Sequence, residues 1–257
     1  MSTDATADSL CDTYLGACLD VMRRIRTEET AAIEAAAALM ADACQDDRLI
    51  YIYGPGGHSN LAAQEIFYRA GGLMNICPLL DEGTLLSNGA MRSTAMERLP
   101  GYGRVVIEAS PIARGDLLIL VNTFGVNAAT IDAAQAANDR GAIVIGINSR
   151  AASLAIPADH PARHPSAANL QDLVRIAIDN KVPNGDAVVV AHEGEPPLGP
   201  VSTQANSFVL QSLIIHTVCC LKAQGVAPVV WRSRNASGGE HNNFDVIAAM
   251  RRRVPVL

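Results

Sequence analysis

From Arg48 onward the chain repeats one pattern: a short apolar run that stops at glycine or polar residues, followed by an Ala-rich stretch with helical spacing. Strands that are apolar on both faces belong in a parallel sheet, covered on each side by the helices that connect them. The pattern predicts strands over residues 49–53, 73–80, 117–121, 142–147 and 173–178. Helices are expected over 60–70, 128–140, 202–223 and 244–252. Ahead of the sheet, Leu10, Tyr14, Leu15, Cys18 and Val21 recur at three- and four-residue spacing, and an Ala-rich run follows over 28–43. Residues 1–47 therefore read as a helical extension, available for packing or dimerisation. The segment 81–114 has mixed periodicity and receives no element. No fixed-period repeat or linker divides the 257 residues, so they read as one domain, with an α/β core over 48–200 and C-terminal helices over 201–257.

Composition narrows the classes of function. With 49% hydrophobic and 18% charged residues the chain can bury a full core, which excludes a disordered or fibrous protein. Lys+Arg 20 against Asp+Glu 26 leaves a net charge of -6 and no basic cluster, so nucleic acid is not an expected partner. The six cysteines form no CxxC spacing and fall in predicted helices or an apolar strand, which suggests buried free thiols in a reducing compartment. The acidic, polar start lacks the basic and apolar regions of a signal peptide, and no stretch reads as a membrane span. A cytoplasmic protein without a membrane partner is expected.

Two loops carry the candidate chemistry. Leu49-Ile-Tyr-Ile-Tyr-Gly-Pro-Gly-Gly-His-Ser-Asn60 is a strand, a glycine-rich turn and a Ser able to cap a helix. Glycines let backbone N–H groups approach an anion, so Gly57, His58 and Ser59 are candidate ligand contacts. A Walker loop is absent, since no Gly-Lys-Ser/Thr follows. The dinucleotide fingerprint is incomplete, with Ser59 where its last glycine would stand; Asp81 after the second strand keeps a nicotinamide-dependent oxidoreductase as a remote alternative. The second loop, Val121-Asn-Thr-Phe-Gly-Val-Asn127, groups Asn122, Thr123 and Asn127 around one glycine, which suits recognition of hydroxyls or an oxyanion.

Taken in order, the His58-Ser59 glycine loop, Glu65-Ile-Phe-Tyr-Arg-Ala-Gly-Gly72, the Asn122 loop, Ile147-Asn-Ser149, Gly199-Pro-Val-Ser-Thr203 and Ser233-Arg-Asn-Ala-Ser-Gly-Gly-Glu-His-Asn242 resemble a branch of the sugar isomerase (SIS) domain proteins. The resemblance spans residues 48–243. It implies a flavodoxin-like, doubly wound, five-stranded parallel sheet, and a homodimer or homotetramer. It further implies a small sugar or sugar phosphate as ligand, and an aldose–ketose isomerase, phosphosugar lyase of the etherase type, or sensor as function. By the family pattern Ser59 and either Ser202 or Thr203 hold the phosphate. Asn122 and Phe124 replace two serines usual in the second loop, which leaves a sulfonate, a carboxylate or an uncharged sugar end open alongside phosphate. Sensors of the family carry a DNA-binding helix-turn-helix ahead of the domain, and the N-terminal stretch here is too short and too poor in Lys/Arg for one.

Isomerisation through an enediol needs a base for the C1/C2 proton and a second group for ring opening. Glu65 lies seven residues after His58, two helical turns along, and is the first candidate base; its ordinary alternative is an i,i+4 pair with Arg69. His241, in the polar Gly238–Asn243 stretch, is the candidate ring-opening acid, supplied within the chain or by a neighbouring subunit. Glu97 and Glu108 rank behind Glu65, on the analogy of acidic residues in related etherases. No metal ligand set is spaced properly, and neither metal nor other cofactor is expected.

Overall fold

The computed structural model describes residues 6–237 and 239–257, with only the backbone of 239–242 and 245. The apolar runs become β1 (Ile50–Tyr53), β2 (Ile76–Leu79), β3 (Leu117–Val121), β4 (Ile143–Asn148) and β5 (Ile176–Asp179). They pair in parallel in the order β2-β1-β3-β4-β5. This is the flavodoxin-like arrangement expected for the alternating pattern. Strands β1 and β3 are buried along their whole length, which is why they read as unbroken apolar runs.

The helices are α1 (Ala7–Glu28), α2 (Thr30–Gln45), α3 (Asn60–Ile66), α4 (Ala90–Glu97), α5 (Tyr102–Ala109), α6 (Ala128–Asp139), α7 (Arg150–Ala155), α8 (Ser202–Ala223) and α9 (Gly239–Met250). Side chains alternate across a strand, so β1 sends Ile50 and Ile52 to one face and Tyr51 and Tyr53 to the other. The first face packs on Ile25 of α1, Ile33 and Met40 of α2, Ala63 and Ile66 of α3, and Val209 and Leu213 of α8. The second packs on Ile107 of α5, Ala133 and Ala137 of α6, and Met250 of α9. A small antiparallel hairpin, β6 (Ala187–Val189) with β7 (Leu198–Pro200), leads into α8.

Several boundaries differ from expectation for tertiary reasons. Strand β2 begins at Ile76 because the residues before it pair elsewhere: Leu73 bridges Val230, and Met74 N–H donates to the Val229 carbonyl at 3.0 Å. Strand β5 begins at Ile176 because Leu170–Asp172 turns as a 3-10 helix just ahead. The last helix starts earlier than expected, at Gly239, and ends at Met250. The unassigned segment holds α4 and α5, and the β6–β7 hairpin was not foreseen. The N-terminal helices pack as the sequence leads one to expect, with Ile33, Ala36, Ala37 and Met40 fully or almost fully buried against the sheet and α8.

Two expectations from composition are corrected. Cys18 and Cys77 are buried, but Cys11 and Cys219 are exposed, so burial is not the common property of the thiols; all six are free. Helix α8 is also long and apolar enough to cross a membrane by length and composition. In the fold this helix buries Val209, Leu210, Leu213 and Ile214 in the core and packs along α2, α1 and α3.

Candidate functional site

Helix α3 leaves β1 toward one face of the sheet and α6 leaves β3 toward the other. Adjacent strands whose connections part in this way open a crevice beyond their carboxyl ends. Here that crevice is a cleft of about 360 Å³. Its walls include Gly57, His58 and Ser59 after β1, Asn122 and Thr123 after β3, Glu97 at the end of α4, Asp186, and Ser202, Thr203 and Asn206 of α8.

The first loop turns so tightly that a Cβ on Gly54 would overlap the Ser59 carbonyl. Gly56 adopts φ +150°, and a Cβ there would stand 2.9 Å from Glu97 Oε1. Glycine is thus what lets loop and carboxylate lie together. The N–H groups of Gly57, His58 and Ser59 donate to no acceptor among the described residues. Ser59 does not cap α3 with its side chain, contrary to expectation; its backbone is already helical at φ -63°, ψ -30°. Its Oγ instead accepts from Asn122 Nδ2 at 3.4 Å, so its proton remains available to a ligand.

Asn122 fastens the two loops. Its Nδ2 also lies 3.3 Å from the Pro55 carbonyl and 3.3 Å from Glu97 Oε1, while its Oδ1 accepts from Gly125 N–H at 2.8 Å. Burial pushes the Glu97 carboxyl above the usual carboxylate range, and the Asn122 hydrogen bond and the Arg98 charge offset only part of that. Thr123 accepts from Asn206 Nδ2 at 3.2 Å and Asn180 Nδ2 at 3.4 Å, and Asn180 Nδ2 donates to Asn206 Oδ1 at 2.8 Å. This buried triangle locks α8 to the second loop.

The N-terminus of α8 already holds an anion of its own. Val201 and Ser202 N–H donate to Asp186 Oδ1 at 2.9 and 2.8 Å, and Ser202 Oγ donates to Asp186 Oδ2 at 2.6 Å. Ser202 therefore reaches the cleft wall with its proton committed, whereas Thr203 is exposed beside the cleft with no described side-chain partner.

Of the residues expected from the sequence, Gly57, His58, Ser59, Asn122, Thr123, Ser202 and Thr203 meet in this cleft. Asn127 does not: its Nδ2 donates to the Ala162 carbonyl at 3.1 Å, and its loop is held from behind by His164 N–H on the Val126 carbonyl. Glu65 lines an adjoining hollow, where it pairs with Arg69 at 3.0 Å and accepts from Gln211 Nε2 at 3.1 Å. The His241 side chain lies outside the described residues. Glu108 pairs with Arg104 on the surface. Asp81, the residue on which the nicotinamide alternative rested, accepts from the Tyr102 hydroxyl and from Thr84 and is not among the residues lining the cleft. Asn206 and Asp186 were not singled out from sequence. Asn206 carried a usable signal, standing one helical turn after Ser202 and so on the same face of the predicted helix.

A doubly wound parallel sheet with a polar cleft at its topological switch point defines an α/β domain built to bind a small polar molecule. The chain belongs to the SIS domain family, whose sequence profile matches residues 13–149. It is 35% identical over 247 residues to a UPF0309 protein of Streptomyces griseus, covering 95% of this chain and 96% of that protein. It is 34% identical over 248 residues to a UPF0309 protein of Brucella canis, covering 96% and 99%. In fold it resembles a phosphoheptose isomerase from Francisella tularensis, with TM-score 0.55 and 16% identity over 82% of this chain and 98% of the other. A phosphoheptose isomerase from Neisseria gonorrhoeae is similar, with TM-score 0.54 and 15% identity over 85% and 100%.

Proposed function

We propose that the cleft binds a small sugar phosphate and catalyses its aldose–ketose isomerisation, with Glu97 as the base. The observation that carries this reading is the Glu97 carboxyl, raised by burial, set against a loop that offers three unengaged N–H groups. A base acts best when its pKa approaches the working pH, and burial moves Glu97 in that direction. Family membership supports sugar-phosphate chemistry, as does the similarity in fold to phosphoheptose isomerases.

In this reading the phosphate sits on the Gly57, His58 and Ser59 N–H groups, with the Ser59 and Thr203 hydroxyls as further donors. Among the described residues no Lys or Arg lines the cleft, so these neutral donors carry the recognition. Glu97 takes the proton from C2 as the C1 carbonyl becomes an enediolate and returns it to C1, while the hydroxyl proton on O2 passes to O1 as the carbonyl forms at C2. Ring opening falls to a histidine. His58 stands exposed at the cleft mouth, and His241 of α9 is the alternative, delivered from a neighbouring subunit.

The test is exchange of the C2 hydrogen with deuterium oxide, measured for hexose and pentose phosphates with the wild type and with Glu97→Gln. The expected result is exchange in the wild type, lost by a factor on the order of 10² to 10⁴ in the variant while binding persists. Exchange at the wild-type rate in Glu97→Gln would remove Glu97 as the base and make Glu65 the next to test.

A further inference from the structure

The cleft does not end at His58. Beyond it lies a second hollow of about 320 Å³, and His58, Thr203 and Asn206 line both. The far walls are Leu61, Gln64, Glu65, Arg69 and Ser207, mostly polar. Each space is of the size that takes a small polar ligand. Among the described residues, no side-chain hydrogen bond of His58 or Thr203, the two shared residues at the exposed boundary, closes the passage.

The centre of the second hollow is an organised pair. Glu65 closes α3, and Arg69 lies past the helix end, 3.0 Å from Glu65 Oε2. Gln211 of α8 donates to the other carboxylate oxygen at 3.1 Å, so that oxygen is held from a different element. The Glu65 side chain is 23% exposed and Arg69 57%, so the carboxylate is recessed and the guanidinium open to a ligand. A fixed carboxylate beside a fork of N–H donors matches neighbouring hydroxyls of a sugar ring, which donate to one and accept from the other.

Resting on the sugar-phosphate reading of the first cleft, we infer that the site has two lobes and that its substrate is a sugar phosphate carrying a second sugar ring, held by Glu65 and Arg69. Arg69 and Glu65 are then specificity residues for that ring, apart from the proton transfer at Glu97.

Calorimetric titration tests this with glucose 6-phosphate and with cellobiose monophosphates phosphorylated on either ring. The expected result is that one cellobiose phosphate binds at least about tenfold more tightly than glucose 6-phosphate, and that Arg69→Ala brings the ratio below about threefold. Glu65→Gln, which keeps the side chain's size, should also narrow the ratio. Equal or tighter binding of glucose 6-phosphate by the wild type, or a ratio unchanged in Arg69→Ala, overturns the two-lobed site and leaves the first cleft's reading standing. Failure of every phosphorylated probe to bind overturns that first reading, and this one with it.

Discussion

Burial raises the Glu97 pKa because water no longer solvates its charged form, and Asn122 and Arg98 restore only part of the loss. A folded-state pKa above the unfolded value means that the fold favours the proton. The associated stability is present at low pH and is lost as pH rises from the ordinary carboxylate value through the raised one. Glu97→Gln should therefore melt at a higher temperature than the wild type at neutral pH while losing turnover, and paired calorimetry and kinetics check both. In the wild type, kcat/KM should fall toward acid around an apparent pKa above the usual Glu range, because the protonated acid cannot accept the C2 proton. Gly56→Ala tests the geometry that brings the carboxylate to the loop. With φ +150° and Glu97 Oε1 at 2.9 Å from the new Cβ, it should destabilise the protein by about 1 kcal/mol or more and lower activity, read by urea unfolding and initial rates.

Elements are joined by partly buried carboxylate contacts that local pattern does not reveal. Lys181, at φ +57°, reaches Glu28 and Glu29 at the α1–α2 junction and Asp179 of β5, with Nζ 3.1 Å from Glu28 and 3.2 Å from Asp179. Burial pushes its pKa down, but the three carboxylates outweigh burial and raise it. Its contribution is full below the ordinary lysine value and disappears as pH climbs through the raised one, so the clamp should loosen only in strong alkali. Lys181→Met leaves the carboxylates facing one another and should destabilise the fold by about 1–3 kcal/mol at pH 7, measured by urea denaturation. Asp186 plays the corresponding part at α8: it accepts both leading N–H groups, and Asp186→Ala should cost about 1–2 kcal/mol by the same measurement.

For the whole molecule, apolar surface remains after the core is built. Ile215 on α8 is 61% exposed, and Leu15 and Leu19 on α1 are also exposed. A second copy of the chain is the proposed cover, in keeping with the oligomers that the family resemblance implies. Sedimentation at micromolar concentration should show a dimer or tetramer, and Ile215→Lys should shift it toward smaller species. A wild-type monomer would rule the assembly out and remove the route by which a neighbour's His241 could reach the cleft.

What the sequence alone determined is whatever rests on short-range pattern. The apolar runs that became β1, β3 and β4 were legible because a strand buried on both faces leaves no polar position. The glycine loop was legible because only glycine permits its turn, and α8 because its 22 helical residues carry no interrupting Gly or Pro. Tertiary structure alone decided where β2 starts, since Leu73 and Met74 pair with residues more than 150 positions away. It likewise decided which carboxylate enters the cleft. Glu65 had the persuasive spacing from His58, yet α8 supplies Gln211 to hold it in the outer hollow. Glu97, in a stretch without readable period, is carried to the glycine loop by α4. The pKa of a carboxylate depends on which atoms replace its water, and those come from distant parts of the chain.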